Sequence, residues 1–476
     1  MNKQYDSEPF EADDLILAPE WVLLPDGPAR HQALRVIDGR FADVGPLKAL
    51  QERHPGLEVK RLDGQLLMPG FVDTHHHLSQ TFGKSLVFGE PSEIFRRVWV
   101  PMESGLDESL LYLTTKLAAL EALRGGFTTV CDAGTRAETG LRSMATACDE
   151  VGLRTVLGLV CNDRRGQEVL DAGPLLKKAE QHLADWQSNP LVTPSLAIPI
   201  PEIATDDMLR AVSALCAEAG TLFQTHANEH LVAVERSLEQ CGLRPVEHLH
   251  RAGALGPQAL LAHATLLTPG EIAMIRDSDA AVSYNPVASA WKGNAVAQAE
   301  LMRTFGVRLG LGTDGTRSDA FRLMDYAEAA QRFAHGLAVG DSSCGGGWSW
   351  LEMATREGAQ VLGLETGEIA VGKAADFLLV DLRVPEMTPS WDLSWELVRL
   401  ANRDQIQAVY VAGRLRLWQG WPVDWDAHAL MQQVDELARA VVDRSPIHKI
   451  HPFSQAHREA RTATRRGPST DNGNNA

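Results

Sequence analysis

Closely spaced cysteines are absent from this sequence of 476 residues. Its six cysteines are scattered along the chain, and no two of them are separated by only two residues. This spacing argues against a disulfide framework and against a structural zinc site built from cysteine pairs. Cys131 and Cys161 end strand-like stretches, and we expect both to be buried free thiols.

The sequence also has fewer basic than acidic residues, and its apolar runs are short. The chain has 45 Lys and Arg against 62 Asp and Glu, a formal net charge of -17. This charge argues against nucleic acids and anionic membranes as partners, and the short apolar runs argue against a membrane span. The first twenty positions include several acidic residues, whereas a signal peptide would have a basic start and an apolar centre. We therefore expect a cytoplasmic protein.

The two ends of the chain share one sequence pattern and the middle has another, which predicts two structural units. A chain of this length is also too long for one ordinary core. Short alternating stretches with Asp-Gly turns fill residues 1–68 and return in residues 366–425, which predicts a small β-sandwich formed by both chain ends. Residues 69–365 alternate strand-like and helix-like segments. This pattern predicts an α/β fold, a TIM-like (β/α)8 barrel. A helical segment over 426–452 and a disordered tail over 453–476 complete the prediction.

Histidine and acidic side chains follow several of the predicted barrel strands. They are His75 and His77 after the first strand, His226 and Glu229 after the fifth, His263 after the sixth and Asp314 after the eighth. Barrel active sites are built at the carboxyl ends of the strands, so we expect these side chains to converge. Three imidazoles and one carboxylate suit a divalent ion such as zinc, iron or manganese.

The three consecutive histidines, His75, His76 and His77, are not equivalent. Successive side chains of a strand point to opposite faces, so the first and third share a face and the second points away. We expect His75 and His77 to share an ion. His76 is expected to be packed or solvated elsewhere.

Four motifs carry a resemblance to a known family: "PGFVDTHHHLSQ", "THANE", "LAHATLL" and "GLGTDGTRSD". They resemble the amidohydrolase superfamily, and within it the branch of mononuclear aminohydrolases and chlorohydrolases that act on nucleobases, adenosine-type compounds and triazines. The similarity extends over about residues 14–425. It implies a homo-oligomer and one divalent ion, zinc before iron or manganese, with the ligands His75, His77, His226 and Asp314.

The resemblance also implies a reaction. A bound divalent ion lowers the pKa of water from about 15.7 to about 7, and the resulting metal-bound hydroxide would attack a ring carbon that bears an amino group. Asp314 would accept the proton of that water, and Glu229 would carry a proton to the ring nitrogen and the leaving amine. His263 would orient the water, or would instead be a fourth imidazole ligand. The expected activity is release of ammonia from an amino-substituted purine, pterin, pyrimidine or triazine.

Two alternatives stay open. The first is the same scaffold removing chloride or an alkylamine from a triazine-like ring. Glu229 favours deamination over dechlorination because chloride leaves without a proton. The second is a catalytically inactive metal-binding or assembly module, which a retained proton-carrying carboxylate disfavours.

The predicted substrate contacts are Gln80, Glu103, Trp291, Lys292 and Arg317. Most of them follow barrel strands and could pair with or stack on a ring, or serve only to pack or solvate a loop. Glu103 in "VPMESGL" resembles a substrate-contacting glutamate of nucleoside deaminases, but an acid is equally favoured at a helix start. The fourth strand, "SLAIPIPE", lacks the histidine typical of adenosine-type deaminases, which argues against adenosine or S-adenosylhomocysteine as substrate.

Overall fold

The structure is a computed structural model that describes residues 8–90, 93–186, 189–340 and 345–449, together with Glu459 and Thr462. The predicted tail at 453–476 lies outside the described residues, except for those last two positions. None of the helices in the described part of the chain has the length and apolar character needed to cross a bilayer.

Strands dominate the N-terminal part of the molecule, with one short helix among them. These elements are β1 (Leu15–Leu24), β2 (Gly27–Arg30), β3 (Gln32–Ile37), β4 (Arg40–Pro46), α1 (Leu47–Arg53) and β5 (Glu58–Pro69). The turn after β1 leads into Gly27, the first residue of β2, which has φ 126°, a conformation that favours glycine. Strand β1 pairs in parallel with β5 and antiparallel with β2 and β3.

Eight parallel strands form the central sheet. They are β6 (Phe71–His76), β7 (Phe127–Asp132), β8 (Arg154–Val160), β11 (Val192–Ala197), β12 (Phe223–Ala227), β13 (Ala259–His263), β14 (Ala281–Tyr284) and β15 (Arg308–Leu311), with the hairpin β9 (Arg164–Arg165) and β10 (Glu168–Val169) between β8 and β11. The eight strands pair in chain order. Asp314 N–H donates to His75 O at 2.8 Å, which brings the first and last strands together. The predicted (β/α)8 barrel is confirmed.

Helices connect the barrel strands and cover their outer face. They are α2 (Val100–Glu103), α3 (Glu108–Arg124), α4 (Arg142–Val151), α5 (Ala172–Asp185), α6 (Asp206–Ala219), α7 (Leu231–Cys241), α8 (Pro245–Ala252), α9 (Pro269–Asp277), α10 (Pro286–Lys292), α11 (Ala299–Thr304), α12 (Ala320–Val339), α13 (Gly347–Ala354) and α14 (Arg356–Val361). The start of α9 shows why one of them forms where it does. Thr268 and Glu271 each accept a hydrogen bond from the other's backbone N–H, which satisfies two donors at the helix start.

The C-terminal part returns to the first sheet. Its elements are β16 (Phe377–Asp381), α15 (Leu393–Arg399), β17 (Ile406–Val411), β18 (Arg414–Trp418), β19 (Trp421–Pro422) and α16 (Ala427–Arg444). Strand β16 pairs antiparallel with β5, so both chain ends build one nine-stranded sheet. Strands β16 and β4 are not neighbours in the sheet, yet Phe377 on β16 and Phe41 on β4 lie 6.0 Å apart between ring centroids, in one apolar core. The sheet therefore curls around this core.

The β unit predicted from both chain ends is therefore confirmed. Our proposed limit between residues 68 and 69 falls within the last residues of β5, one residue before its end at Pro69. A buried ion pair joins the two units: Arg154 on β8 donates to Asp376, just before β16, with Nε–Oδ2 at 2.7 Å.

Candidate metal centre and active site

His75 and His76 end strand β6 at the carboxyl end of the barrel, and His77 follows directly. His75 and His77 present their Nε2 atoms to Asp314 Oδ1, at 3.3 and 3.2 Å. His76 instead contacts the loop after β15, with its Nε2 3.3 Å from Ser318 Oγ. All three rings are buried, and their directions follow the alternation of a strand.

Buried Asp73 fixes the backbone at this end of β6. Its Oδ1 accepts the N–H of His75 at 3.2 Å and that of Thr313 at 2.9 Å. Burial raises the pKa of Asp73 to about 7, although these hydrogen bonds lower it. The carboxyl group therefore links the first strand to the loop after the eighth, which carries Asp314.

His226 completes a close set of donors. Its Nε2 lies 3.3 Å from His77 Nε2, and its Nδ1 lies 2.7 Å from the carbonyl oxygen of Pro199. A carbonyl can only accept, so Nδ1 carries the hydrogen and Nε2 is left with a free lone pair. A hydrogen bond of this kind is how proteins orient metal-binding imidazoles.

His263 lies beside the same group. Four donor atoms that all lie within 4.8 Å of one another belong to His75, His226, His263 and Asp314. His263 Nδ1 lies 3.3 Å from Asn285 Nδ2. The side-chain oxygen of Asn285 accepts a hydrogen bond from Ser283 Oγ, which identifies the amide nitrogen as the atom that faces His263. An amide nitrogen can only donate, so this arrangement leaves the hydrogen of neutral His263 on Nε2, where it suits donation to a water more than metal ligation.

Three strand-end residues of the site adopt left-handed backbone conformations. These are Asn228, His263 and Asp314, at φ 51°, 74° and 56°. Such conformations cost about 1 to 3 kcal/mol each for residues other than glycine, and they cluster at functional sites. Here they turn the chain sharply where each strand ends.

The donor set fits a divalent ion. Burial lowers the pKa of His75 to about 4 and that of His226 well below its usual value, so both imidazoles are neutral at pH 7. Within the described part of the chain, buried His75 Nε2 has no hydrogen-bond partner. Separations of 3.2–3.3 Å between neighbouring donors match the spacing of about 3.3 Å expected for tetrahedral ligands at about 2.0 Å. The prediction of a histidine and aspartate group able to hold one metal ion is confirmed.

Lys292, at the end of α10, joins the two carboxylates of the site. Its Nζ lies 2.8 Å from Glu229 Oε1 and 2.6 Å from Asp314 Oδ2. Asn294 Nδ2 adds a second contact to Glu229 Oε1 at 3.3 Å, and His263 Nε2 lies 3.8 Å from the same oxygen. Burial alone would raise the pKa of Glu229, but Lys292 and His263 bring it well below its usual value. Glu229 is therefore ionised at neutral pH.

A cavity of about 210 Å³ opens onto these groups. Of the predicted substrate contacts, Gln80, Trp291 and Lys292 line it. Trp291 packs edge-on against Phe88, with 4.9 Å between ring centroids.

Two of the predicted substrate contacts, Glu103 and Arg317, are not among the residues that line this cavity. Glu103 is completely buried and does not line the cavity. Its carboxylate is paired with Arg136. Arg317 also lies outside the wall, 3.6 Å from Asp319. Arg136 does line the cavity and was not predicted from the sequence. It lies in the loop after β7, where no periodic pattern marks it.

Comparison with known proteins places the chain in a family. Residues 66–416 match the model of the amidohydrolase family. The chain belongs to this family. The resemblance noted in the sequence motifs is thus confirmed.

Similar proteins extend over nearly the whole chain. A 5-methylthioadenosine/S-adenosylhomocysteine deaminase from Syntrophobacter fumaroxidans is 27% identical over 90% of this chain and 98% of its own length. A zinc-bound adenosine deaminase from Xanthomonas campestris is 24% identical with a TM-score of 0.83, covering 91% of this chain and 100% of that one. A zinc complex of atrazine chlorohydrolase from Arthrobacter aurescens is 18% identical with a TM-score of 0.80, covering 89% of this chain and 100% of that one. These two structures show the shared fold.

Proposed function

We propose that the protein is a metal-dependent hydrolytic deaminase that releases ammonia from an amino-substituted N-heteroaromatic ring, such as a purine, pterin, pyrimidine or triazine. The observation that carries the proposal is the position of Glu229, an ionised carboxylate that lines the cavity and lies 3.8 Å from His263. An amine is a poor leaving group until it is protonated, and such a carboxylate can carry the proton. The deaminase activity named for the relative from Syntrophobacter fumaroxidans supports the same class of reaction.

The metal ligands in this proposal are His75, His77, His226 and Asp314. A divalent ion bound there lowers the pKa of water and makes a nucleophile available at neutral pH. The alternative set, with His263 in place of His77, also has converging donors. The orientation of His263 by Asn285 supports the first set, because it leaves the hydrogen on Nε2.

The remaining polar residues move or hold protons. Glu229 accepts one proton of the attacking water at Oε1 and delivers it to a ring nitrogen, and it then carries the second proton of that water to the departing amine. Lys292 donates to that oxygen and to Asp314 Oδ2, so it fixes the two carboxylates relative to each other. Nε2 of His263 lies 3.8 Å from Glu229 Oε1, and its hydrogen can orient the attacking water. Gln80 and Trp291 line the cavity where a planar ring would lie.

A test of the role of Glu229 compares two glutamates of the same cavity. Glu229→Gln should retain the metal and lose about 10²- to 10⁴-fold in kcat, the range typical of general acid–base groups. Glu93→Gln is the matched control, because Glu93 lines the cavity but pairs with Arg236 at 3.6 Å, away from the metal donors. Full activity in the Glu229 variant would rule out the proposed proton transfer.

Ammonia and chloride release distinguish the competing reactions. The metal-replete protein is incubated with amino-substituted and chloro-substituted purines, pterins, pyrimidines and triazines, and both products are measured. Ammonia without chloride supports deamination, whereas chloride without ammonia supports a dechlorinase. A metal-replete protein that releases neither product, nor an alkylamine, would support a binding module. We also expect a homo-oligomer, which sedimentation of the purified protein tests.

A further inference from the structure

The carboxylate of Glu103 is not available to a substrate. Its Oε1 accepts from Ser79 Oγ at 2.5 Å, and its Oε2 accepts from Arg136 Nη1 at 2.9 Å. The side chain of Glu103 is completely buried, whereas that of Arg136 is 15% exposed. A buried carboxylate needs such a partner, since an unpaired charge in the interior is costly. The group that reaches the cavity from this wall is therefore a guanidinium.

Arg136 is held in a fixed position by its neighbours. Its guanidinium carbon lies 4.3 Å from the centre of the Phe95 ring, and one of its nitrogens is tied to Glu103. A guanidinium has five N–H donors in a planar fork. Only the donor to Glu103 has a hydrogen bond within the described part of the chain, and the side chain lines the cavity. The other donors can serve a bound molecule without moving the side chain.

Gln80 lies on the same wall. It directly follows Ser79, the residue bonded to Glu103, and it also lines the cavity. Gln80 and Arg136 follow the first and second barrel strands, β6 and β7, whereas Glu229 follows the fifth, β12. The fifth strand lies four steps around the eight-strand ring from the first. A purine whose N3 faces Glu229, the group that delivers the proton, therefore directs its opposite edge toward Gln80 and Arg136.

We propose that Arg136 determines the substrate class of this site: an amino-substituted ring that carries an oxo oxygen on the edge away from Glu229, rather than a nucleoside recognised through its ribose hydroxyls. The inference rests on the proposed deaminase function. The Arg136–Glu103 pair is neutral overall, so it offers directed donors to an uncharged carbonyl oxygen. On this wall a ribose diol finds no exposed acceptor in Glu103, because that carboxylate is completely buried and accepts a hydrogen bond at each oxygen.

The test compares guanine, which has an oxo group and an amine, with adenosine, which has the amine and a ribose but no oxo group. Wild-type kcat/KM should be higher for guanine. Arg136→Met should lower kcat/KM for guanine by about 10- to 100-fold, the range for losing a hydrogen bond to a charged donor, and leave that for adenosine little changed. Arg96→Met is the matched control, because Arg96 also lines the cavity but its side chain is 67% exposed.

A second variant and a second readout protect the test against misfolding. Arg136→Met leaves Glu103 buried without its cation, so the double variant Glu103→Gln with Arg136→Met removes the charge as well. Calorimetric binding of hypoxanthine, which has the oxo group and no amine, should weaken by a similar factor in both variants at unchanged metal content.

The outcomes separate this inference from the proposed function. If the wild-type protein prefers adenosine to guanine, or if hypoxanthine binds both variants as tightly as it binds wild type, the role of Arg136 is wrong while deamination stands. If the metal-replete protein releases no ammonia from any ring yet binds hypoxanthine through Arg136, the oxo-binding site stands and the proposed function fails.

Discussion

His77 and His226 are 149 residues apart in the chain, yet their Nε2 atoms lie 3.3 Å apart. The two ring planes are stacked, with an angle of 6° between them and 5.4 Å between their centroids. Because Nδ1 of His226 already donates to a carbonyl, its Nε2 has a lone pair directed at His77. A cation between the two nitrogens satisfies both, whereas two facing lone pairs would repel each other.

Metal content should therefore respond differently to the neighbouring histidines. We expect His77→Ala to lose the ion and His76→Ala to retain it, because His76 faces Ser318 rather than the donors. Elemental analysis of the purified variants measures this directly. His263→Ala should also retain the ion. Metal loss in His263→Ala but not in His77→Ala would assign the ion to the alternative donor set, and equal loss in His76→Ala would contradict the strand geometry.

The sequence predicted the parts of the site that depend on regular structure. The period of a strand separates His76 from His75 and His77, and parallel strands bring their ends together in any barrel. These rules are independent of loop conformation. For that reason the convergence of His226 and Asp314, far along the chain, was predictable without coordinates.

Residues in the loops and short helices that follow the strands were less predictable. Whether Glu103 faces a substrate depends on the side chain buried beside it, and Arg136 comes from a loop 33 positions later in the chain. Lys292 was named only as a residue that could meet a ligand, whereas it bridges two carboxylates. Such ion pairs are long-range contacts set by loop geometry, and neither hydrophobic periodicity nor residue spacing reports them.

Removal of Lys292 should shift the acidic limb of the pH profile. Lys292 holds the pKa of Glu229 below its usual value, so Lys292→Met should raise that pKa by about one to three units, as expected for loss of a nearby opposite charge. A reaction that needs ionised Glu229 fails when pH falls through this pKa. The variant should therefore lose kcat/KM at a higher pH than wild type does.

The matched control for this profile is Lys373→Met, because Lys373 pairs with Glu365 far from the cavity, in the β unit. Its profile should coincide with that of wild type. Metal content is measured at each pH, since Lys292 also contacts Asp314. An acidic limb that does not move in the metal-replete Lys292 variant would show that Glu229 does not control it.

The ion pair between Arg154 and Asp376 should contribute strongly to stability. Asp376 is completely buried and accepts from Arg154 Nε at 2.7 Å and from Thr366 Oγ1 at 2.8 Å. Burial alone would raise the pKa of Asp376, but Arg154 lowers it below its usual value. Because the folded-state pKa lies below the unfolded one, this stabilisation is present at neutral pH and is lost as pH falls through the folded-state pKa.

Arg154→Met leaves a buried carboxylate unpaired and should lower the free energy of unfolding by about 3 to 5 kcal/mol at neutral pH, measured by urea denaturation. Arg439→Met is the matched control, because its pair with Asp435 is exposed, at 74% and 62% of the two side chains. Loss of an exposed pair costs about 1 kcal/mol or less. The difference between the two variants should shrink in acid, where protonated Asp376 no longer needs its cation. Equal effects of both variants at neutral pH would show that the buried pair does not stabilise the junction between barrel and sheet.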